Sequence, residues 1–251
     1  GDDRALVLGL LYAESLVDVP SDILTMTEVV PSLAEAAGNP DGAATWDVTV
    51  RERSTLDTKL SKRSLASTSS CGFCGKTAWE EAAACATPVV SEDPDDPAAR
   101  TVPPTSPVLD AAFLAACFAT MRTRQDLFGD TGGSHAAALF SVHGELLGFG
   151  EDAGRHNAVD KAVGRLWEEG KLAPAKVLCV SGRVSYEIAS KALRAGVTVL
   201  AAVSAPSSMA VTFCRDHDIT LIGFCRGTRA TVYATPHRVA GIAGMKTEAI
   251  P

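Results

Sequence analysis

Short apolar stretches and helical patterns alternate along the second half of the chain. The continuous apolar stretches predict strands, and apolar residues that recur every three or four positions predict helices between them. The predicted strands cover residues 175–181, 197–204, 219–224 and 231–234, and the predicted helices cover 184–194 and 207–216. Strands that are apolar on both faces and alternate with helices are typical of a mixed, partly parallel sheet covered by helices. The predicted fold class is therefore α/β.

The residues just upstream of this region predict a hairpin and two more helices. Strands are predicted at 136–142 and 146–150 around a turn at His143-Gly144, and a helix follows at about 157–169. Another helix is predicted at 108–122, because apolar residues recur along it. Its expected buried positions are Leu109, Phe113, Ala116 and Met121, and Cys117 is expected to pack among them as a small apolar residue.

The first third of the chain predicts a smaller N-terminal α+β portion. A helix is predicted at 1–17 and a half-buried strand at 46–53. The expected buried face of that helix consists of Leu6, Leu10, Ala13 and Val17. Residues 87–107 are rich in proline and acidic residues, which is typical of a linker. The predicted division is an N-terminal portion at 1–86, a linker at 87–107 and an α/β core at 108–251. Because the chain starts inside a helix without a methionine, we also expect residues upstream of it.

Composition and charge limit the possible functions. The chain has 251 residues, of which 46% are hydrophobic and 21% are charged, so it is long enough to bury a large core. Its formal net charge of −7 argues against a general nucleic-acid-binding protein. No apolar run is long enough to span a membrane, and no secretory signal precedes the first helix. The seven cysteines, an odd number, favour a reducing compartment, so we expect a cytoplasmic protein.

The stretch CGFCGKT at 71–77 contains the residues best suited to reactive chemistry. Cys71 and Cys74 lie three positions apart and next to glycines, on a loop predicted to be mobile at about 54–77. Glycine permits backbone conformations that a side chain forbids, so either sulfur can be presented to a partner. Lys76 favours the thiolate, which is the nucleophilic form of cysteine. The pattern predicts thiol chemistry at Cys71 and Cys74, either redox chemistry or sulfur carriage.

Other interpretations of these cysteines fit the sequence less well. A structural zinc site usually needs a second close pair of cysteines, and the rest of them are scattered, so no metal site is predicted. A thioredoxin-type pair opens a helix directly after an apolar strand, whereas a Ser/Thr-rich stretch precedes Cys71. A phosphate loop needs a glycine where Ser70 stands. A zinc deaminase needs Pro-Cys-x-x-Cys after its histidine, and His143 has no such motif downstream.

Two predicted strands end in polar residues that suit an anionic ligand. Ser181-Gly182-Arg183 and Ser204-Ala205-Pro206-Ser207-Ser208 lie at strand-to-helix junctions, where ligands bind in such sheets. The N–H groups of a helix N-terminus attract anions, and Arg183 adds a positive charge. A phosphate-bearing ligand is therefore expected at Ser181, Arg183 and Ser204. The alternative is that the serines only cap their helices.

A third polar cluster, residues 150–157, lies between a predicted strand and a predicted helix. It supplies Arg155 and His156 as further candidate ligand-binding residues. The alternative is a capped helix start in which Asp152 pairs with Arg155. His135 follows a flexible segment at 131–134 and is expected to face the ligand.

Six motifs, taken in chain order, resemble those of the FdhD family. They are CGFCGK at 71–76, TGGSH at 131–135, EDAGRHNAVDK at 151–161, SGRVS at 181–185, SAPS at 204–207 and GFCRG at 223–227. The resemblance implies a sulfur carrier, a sulfurtransferase needed for formate dehydrogenase activity. It implies that a cysteine desulfurase loads a persulfide onto the Cys-x-x-Cys loop, and that the sulfur passes to the bis-molybdopterin guanine dinucleotide molybdenum cofactor. A homodimer with a cytidine-deaminase-like core is also implied.

The resemblance also implies roles for individual residues. Cys71 is expected to carry the persulfide, and Cys74 to assist it. The family's cofactor-binding stretch corresponds to Phe224, Cys225, Arg226, Gly227, Thr228 and Arg229. Within it, Arg226 and Arg229 are expected to pair with pyrophosphate and Phe224 to stack on a base. Two other functions stay open: a cofactor chaperone without transfer chemistry, and a general thiol oxidoreductase.

Overall fold

A six-stranded mixed sheet forms the centre of the protein. The structure, a computed structural model, describes residues 1–29, 45–51 and 109–242. The strands are β1 (Ile23–Val29), β2 (Thr45–Val50), β3 (His135–Phe140), β4 (Leu146–Asp152), β5 (Val177–Val180), β6 (Val199–Ala202), β7 (Thr220–Arg226) and β8 (Arg229–Ala234). The helices are α1 (Asp3–Ala13), α2 (Ala111–Arg122), α3 (Asp126–Thr131), α4 (Arg155–Glu168), α5 (Tyr186–Arg194) and α6 (Ser208–Asp216). Short 3₁₀ turns lie at Pro20–Asp22 and Pro236–Arg238.

The sheet order is β4-β3-β5-β6-β7-β8. Strands β5, β6 and β7 are parallel, whereas β3, β4 and β8 run antiparallel to their neighbours. This confirms the α/β class with a mixed, partly parallel sheet. The likeness to cytidine deaminases stays a prediction.

Helices cover both faces of this sheet. Leu178, Leu200 and Leu221 belong to one core with residues of α4, α5 and α6. On the other face, Cys179 and Ile222 pack with residues of α2. All residues of β5 and β6 are buried, which explains why these strands are apolar on both faces.

Helix α1 packs closely on α4 through glycines. A Cβ atom on Gly9 would lie 1.9 Å from the carbonyl oxygen of Asp160, and one on Gly164 would lie 2.1 Å from that of Ala5. The predicted buried face of this helix was right in part. Ala13 and Val17 are buried, although Val17 lies beyond the end of the helix, but Leu10 is 45% exposed and Leu8 and Tyr12 are buried instead. The small residues Ala5 and Gly9 are also buried in this helix, and a pattern of large apolar residues does not reveal them.

The buried face of helix α2 also differs in part from the predicted one. Leu109, Cys117 and Met121 are buried as predicted, but Ala116 is exposed and Leu114 takes its place in the core. Phe113 is only half-buried. Cys117 thus packs as a small apolar residue, as expected from the sequence.

A separate two-stranded antiparallel sheet is formed by β1 and β2. The strand predicted at 46–53 corresponds to β2, in which half-buried and exposed residues alternate. Strand β1 was not predicted, because most of its residues are exposed and show no alternation. The predicted linker and the Cys-x-x-Cys loop, with Cys71 and Cys74, lie outside the described residues. Among the described helices, none has the length and apolar character needed to cross a membrane.

Candidate ligand-binding site at one edge of the sheet

The sheet topology brings most of the candidate residues to one edge. The parallel strands β5, β6 and β7 end at this edge, and the antiparallel strands β3 and β8 begin there. Strand β4 ends there too, because Asp152 pairs with His135. The predicted residues at this edge are His135, Arg155, His156, Ser181, Arg183, Ser204, Phe224, Cys225, Arg226, Gly227, Thr228 and Arg229.

The two strand-to-helix junctions are held to each other by backbone hydrogen bonds. The Val184 N–H donates to the Ala205 carbonyl at 3.2 Å, and the Ser207 N–H donates to the Val184 carbonyl at 2.9 Å. The serines have different roles. Ser185 and Ser207 cap α5 and α6, respectively. Ser181 instead accepts a hydrogen bond from the Ala136 N–H at 2.9 Å, so the capping alternative does not apply to it.

Gly182 allows His135 and Arg155 to approach the junction after β5. A Cβ atom at Gly182 would lie 3.3 Å from Nδ1 of His135 and 3.4 Å from Cβ of Arg155. Burial and the charges of Arg155 and Arg183 lower the pKa of His135 below its usual value. Among the described residues, none accepts a hydrogen bond from the buried Nε of Arg155. The junction therefore contains two positively charged side chains, Arg155 and Arg183, and the Nε–H group of Arg155 is available to donate a hydrogen bond.

His156 contacts the start of helix α5. Its Nε2 lies 3.0 Å from Oγ of Ser185 and 3.3 Å from a carboxylate oxygen of Glu187. Burial, followed by the charges of Arg155, Lys191 and His135, lowers the pKa of His156 to about 4. His156 is thus neutral at physiological pH, although a carboxylate lies beside it. Neither Ser185 nor Glu187 was among the predicted site residues, although Ser185 belongs to the SGRVS motif.

Asp152 fixes the turn that leads into Arg155 and His156. Its Oδ1 accepts hydrogen bonds from the Gly154 N–H at 2.8 Å and from Nδ2 of Asn157 at 3.1 Å. Its ion-pair partner is Lys161 at 2.6 Å, so the alternative pairing with Arg155 was wrong. Burial alone would raise the pKa of Asp152. The hydrogen bonds from Lys161, Gly154 and Asn157 outweigh burial and lower this pKa below its usual value. The side chain of Lys161 is 5% exposed, and Lys161 was not among the predicted site residues, although it is the last residue of the EDAGRHNAVDK motif.

The β7–β8 turn carries an aromatic ring and two arginines. Phe224 has a φ of 54° and is 42% exposed, and its N–H donates to the Ser204 carbonyl at 3.2 Å. A positive φ is unusual for a bulky residue and is found where surrounding structure enforces it. Arg226 and Arg229 are exposed at the turn. Cys225 lies in the core beneath them, and burial raises the pKa of its thiol to about 12, so its side chain is a poor nucleophile.

This edge combines basic side chains with an exposed aromatic ring. Four arginines, Arg155, Arg183, Arg226 and Arg229, lie at this edge in a protein whose net charge is −7. The ends of β5 and β7 lie two strand spacings apart, or about 10 Å. No group of three or more histidine, cysteine or acidic residues within the described ranges is arranged to hold a metal ion.

A family model described as the FdhD/NarQ family matches residues 1–240. The chain belongs to this family. It is 40% identical over 245 residues to "Sulfur carrier protein FdhD" of Streptomyces avermitilis, which covers 96% of this chain and 80% of the relative. It is likewise 40% identical to the protein of that name from Mycobacterium tuberculosis, over 95% of this chain and 83% of the relative.

A solved structure supports the fold. This FdhD/NarQ family member resembles a crystal structure from Desulfotalea psychrophila described as a "putative formate dehydrogenase accessory protein". The TM-score is 0.63 at 19% identity, and the match covers 95% of this chain and 80% of the other. At that identity the likeness concerns the fold alone.

Proposed function

We propose that this protein is a sulfur carrier that supplies formate dehydrogenase with sulfur. It accepts persulfide sulfur from a cysteine desulfurase and transfers it to the bis-molybdopterin guanine dinucleotide molybdenum cofactor, which is its acceptor substrate. The proposal that the protein binds this cofactor is supported by one observation: four arginines and an exposed phenylalanine lie at one edge of the sheet. Family membership and the names of the relatives support the sulfur-carrier part.

The nucleotide part of the acceptor binds across the sheet edge. Phe224 stacks on a guanine base, and Arg226 and Arg229 pair with pyrophosphate oxygens. Arg155 and Arg183 hold a second phosphate near Gly182, where the N-termini of α5 and α6 add favourable dipoles. The protein contributes no ligand to the molybdenum in this scheme.

Sulfur loading is a nucleophilic exchange between two cysteines. The Cys71 thiolate attacks the terminal sulfur of the desulfurase persulfide, so a new S–S bond forms on Cys71. The old S–S bond breaks, and its electron pair leaves on the desulfurase cysteine as a thiolate. No net oxidation or reduction occurs in this step.

Delivery of the sulfur requires two electrons, which Cys74 supplies. The Cys74 thiolate attacks the Cys71 sulfur, and the terminal sulfur leaves as hydrosulfide, the form that binds molybdenum. A Cys71–Cys74 disulfide is the oxidised product, and an external thiol returns it to the reduced state. Both steps concern cysteines outside the described residues and rest on the sequence motif.

Activation of a formate dehydrogenase that lacks the sulfur ligand tests this function. We expect the wild-type protein with a desulfurase and cysteine to restore activity, and Cys71→Ala to fail. Added sodium sulfide should bypass the defect of Cys71→Ala, because it replaces the missing sulfur. The matched control is Cys85→Ala, which removes a thiol outside the motif and should restore activity as the wild type does.

The alternatives give different results. A cofactor chaperone without transfer chemistry activates the dehydrogenase when Cys71 is replaced, even without added sulfide. A general thiol oxidoreductase reduces insulin disulfides, which a dedicated sulfur carrier does not. We further propose that the protein acts as a homodimer, which light scattering in solution measures.

A further inference from the structure

The carboxylate of Glu151 holds the segment that leads into His135. Its Oε1 accepts hydrogen bonds from the Phe128 N–H at 2.8 Å and from the Ser134 hydroxyl at 2.6 Å. Its Oε2 accepts one from the Leu127 N–H at 3.1 Å. One side chain of β4 thus fixes both the beginning of α3 and the residue that precedes His135.

Helix α3 depends on such an outside partner. It has six residues, too few to be stable by its own hydrogen bonds. The first N–H groups of any helix lack partners within the helix, and the Glu151 carboxylate satisfies two of them. Its negative charge also lies at the favourable end of the helix dipole.

Hydrogen bonds within residues 127–134 connect the start of α3 to His135. The hydroxyl of Thr131 donates to the Leu127 carbonyl and accepts from the Gly133 N–H. Ser134 is 8% exposed and adjoins His135, whose ring lies beside Gly182 and Arg155. The adjacent Asp152 fixes the other wall of the site, so the two consecutive carboxylates of β4 hold different segments.

We propose that Glu151 is a positioning residue of the ligand site, which sets His135 beside Gly182 and Arg155 by anchoring residues 127–134. The identity of the ligand rests on the proposed function. The positioning of His135 by Glu151 does not depend on that function. Glu151 does not touch the ligand. It acts through Ser134 and the start of α3.

An NMR titration of the histidine ring protons in Glu151→Gln tests the positioning directly. The amide keeps the size of the side chain but loses the charge and one acceptor oxygen. If the segment loosens, His135 becomes more hydrated and moves away from Arg155 and Arg183, so its pKa rises toward the ordinary value of about 6.5. The pKa of His156, which is about 4, should change less, because burial and the charges of Arg155 and Lys191 contribute more to it than His135 does. General destabilisation would not produce such a selective change in the folded protein.

The matched control is Glu145→Gln, at the opposite end of the same hairpin. Glu145 also accepts a hydrogen bond from a serine hydroxyl, that of Ser141 at 3.2 Å. We expect the His135 titration of Glu145→Gln to equal that of the wild type. An unchanged His135 titration in Glu151→Gln, or an equal change in both variants, would overturn the proposal.

Binding of guanosine diphosphate gives the functional readout. We expect Glu151→Gln to weaken binding by at least about threefold in calorimetry, because His135 and the neighbouring binding groups are displaced. Glu145→Gln should bind as the wild type does. Unchanged affinity in Glu151→Gln would overturn the functional part of the proposal. If the wild type itself fails to bind guanosine diphosphate, the proposed nucleotide site fails, while the titration still decides whether Glu151 positions His135.

Discussion

Gly182 lies so close to His135 that a Cβ atom at position 182 would be 3.3 Å from Nδ1 of the imidazole. Such a distance is shorter than most Cβ contacts, so His135 must shift by a few tenths of an ångström to admit a methyl group. The junction after β5 therefore packs directly against the start of β3 through Gly182 and His135. The close packing fixes the relative positions of His135, Arg155 and the N–H groups of the junction.

Gly182→Ala should weaken nucleotide binding more than it weakens the fold. We expect the dissociation constant for guanosine diphosphate to rise by at least about threefold, because the binding groups are displaced. The free energy of unfolding should change by less than about 1 kcal/mol, since only the histidine ring must move. Gly129→Ala, where a Cβ atom meets nothing within 4 Å, is the control and should bind normally. Normal binding by Gly182→Ala would contradict the placement of the ligand at this junction.

The pKa of His156 predicts how the stability depends on pH. The unfolded histidine binds a proton below about pH 6.5, whereas the folded one does so only below about 4. As the pH falls through this window the unfolded state gains a proton that the folded state lacks, so the free energy of unfolding falls. The full contribution is about 3 kcal/mol, and solvent screening at a side chain that is 26% exposed reduces it.

Denaturation in urea between pH 7 and pH 4 measures this effect. The stability of His156→Gln, which cannot titrate, should fall less steeply than that of the wild type. His135 contributes a loss in the same direction, because its pKa is also lowered. Equal slopes for the two proteins would show that His156 is not held neutral by its surroundings.

Lys191 and Asp160 form a buried ion pair that joins α5 to α4. The Lys191 amine lies 2.6 Å and 2.5 Å from the two carboxylate oxygens, and both side chains are 3% exposed. Lys191→Met leaves the carboxylate buried without its partner, so we expect a loss of about 3–5 kcal/mol in the free energy of unfolding. Adding Asp160→Leu should recover much of that loss, because it removes the unpaired group. A loss below about 1 kcal/mol in Lys191→Met would contradict the structural role of the pair.

Phe224→Ala tests the stacking surface. We expect the affinity for guanosine diphosphate to fall about tenfold or more, because stacking on an aromatic side chain contributes about 1–3 kcal/mol per base. Leu24→Ala is a matched control, since Leu24 is 54% exposed but lies on β1. Equal affinities of Phe224→Ala and the wild type would contradict the proposal that the guanine base stacks on Phe224.

Much of the central sheet, and the position of many candidate residues at one of its edges, could be predicted from the sequence. Strands β5 and β6 are apolar on both faces, which identified them as strands of a partly parallel sheet, and Ser181 and Ser204 were accordingly placed at the strand-to-helix junctions of that sheet. Helix α3 could not be predicted, because it is held by Glu151, which lies beyond it in the sequence. The partner of Asp152 was also missed, since the choice between Arg155 and Lys161 depends on the direction of each side chain on α4.

The intact mass of the protein after incubation with a cysteine desulfurase and cysteine, without reductant, tests sulfur carriage most directly. We predict a gain of at least one sulfur atom that a thiol reductant removes, present in the wild type and in Cys85→Ala and absent in Cys71→Ala. No gain in any of the three proteins, with the desulfurase shown to be active, would contradict a sulfur-carrier function. An equal gain in all three would contradict the assignment of the persulfide to Cys71.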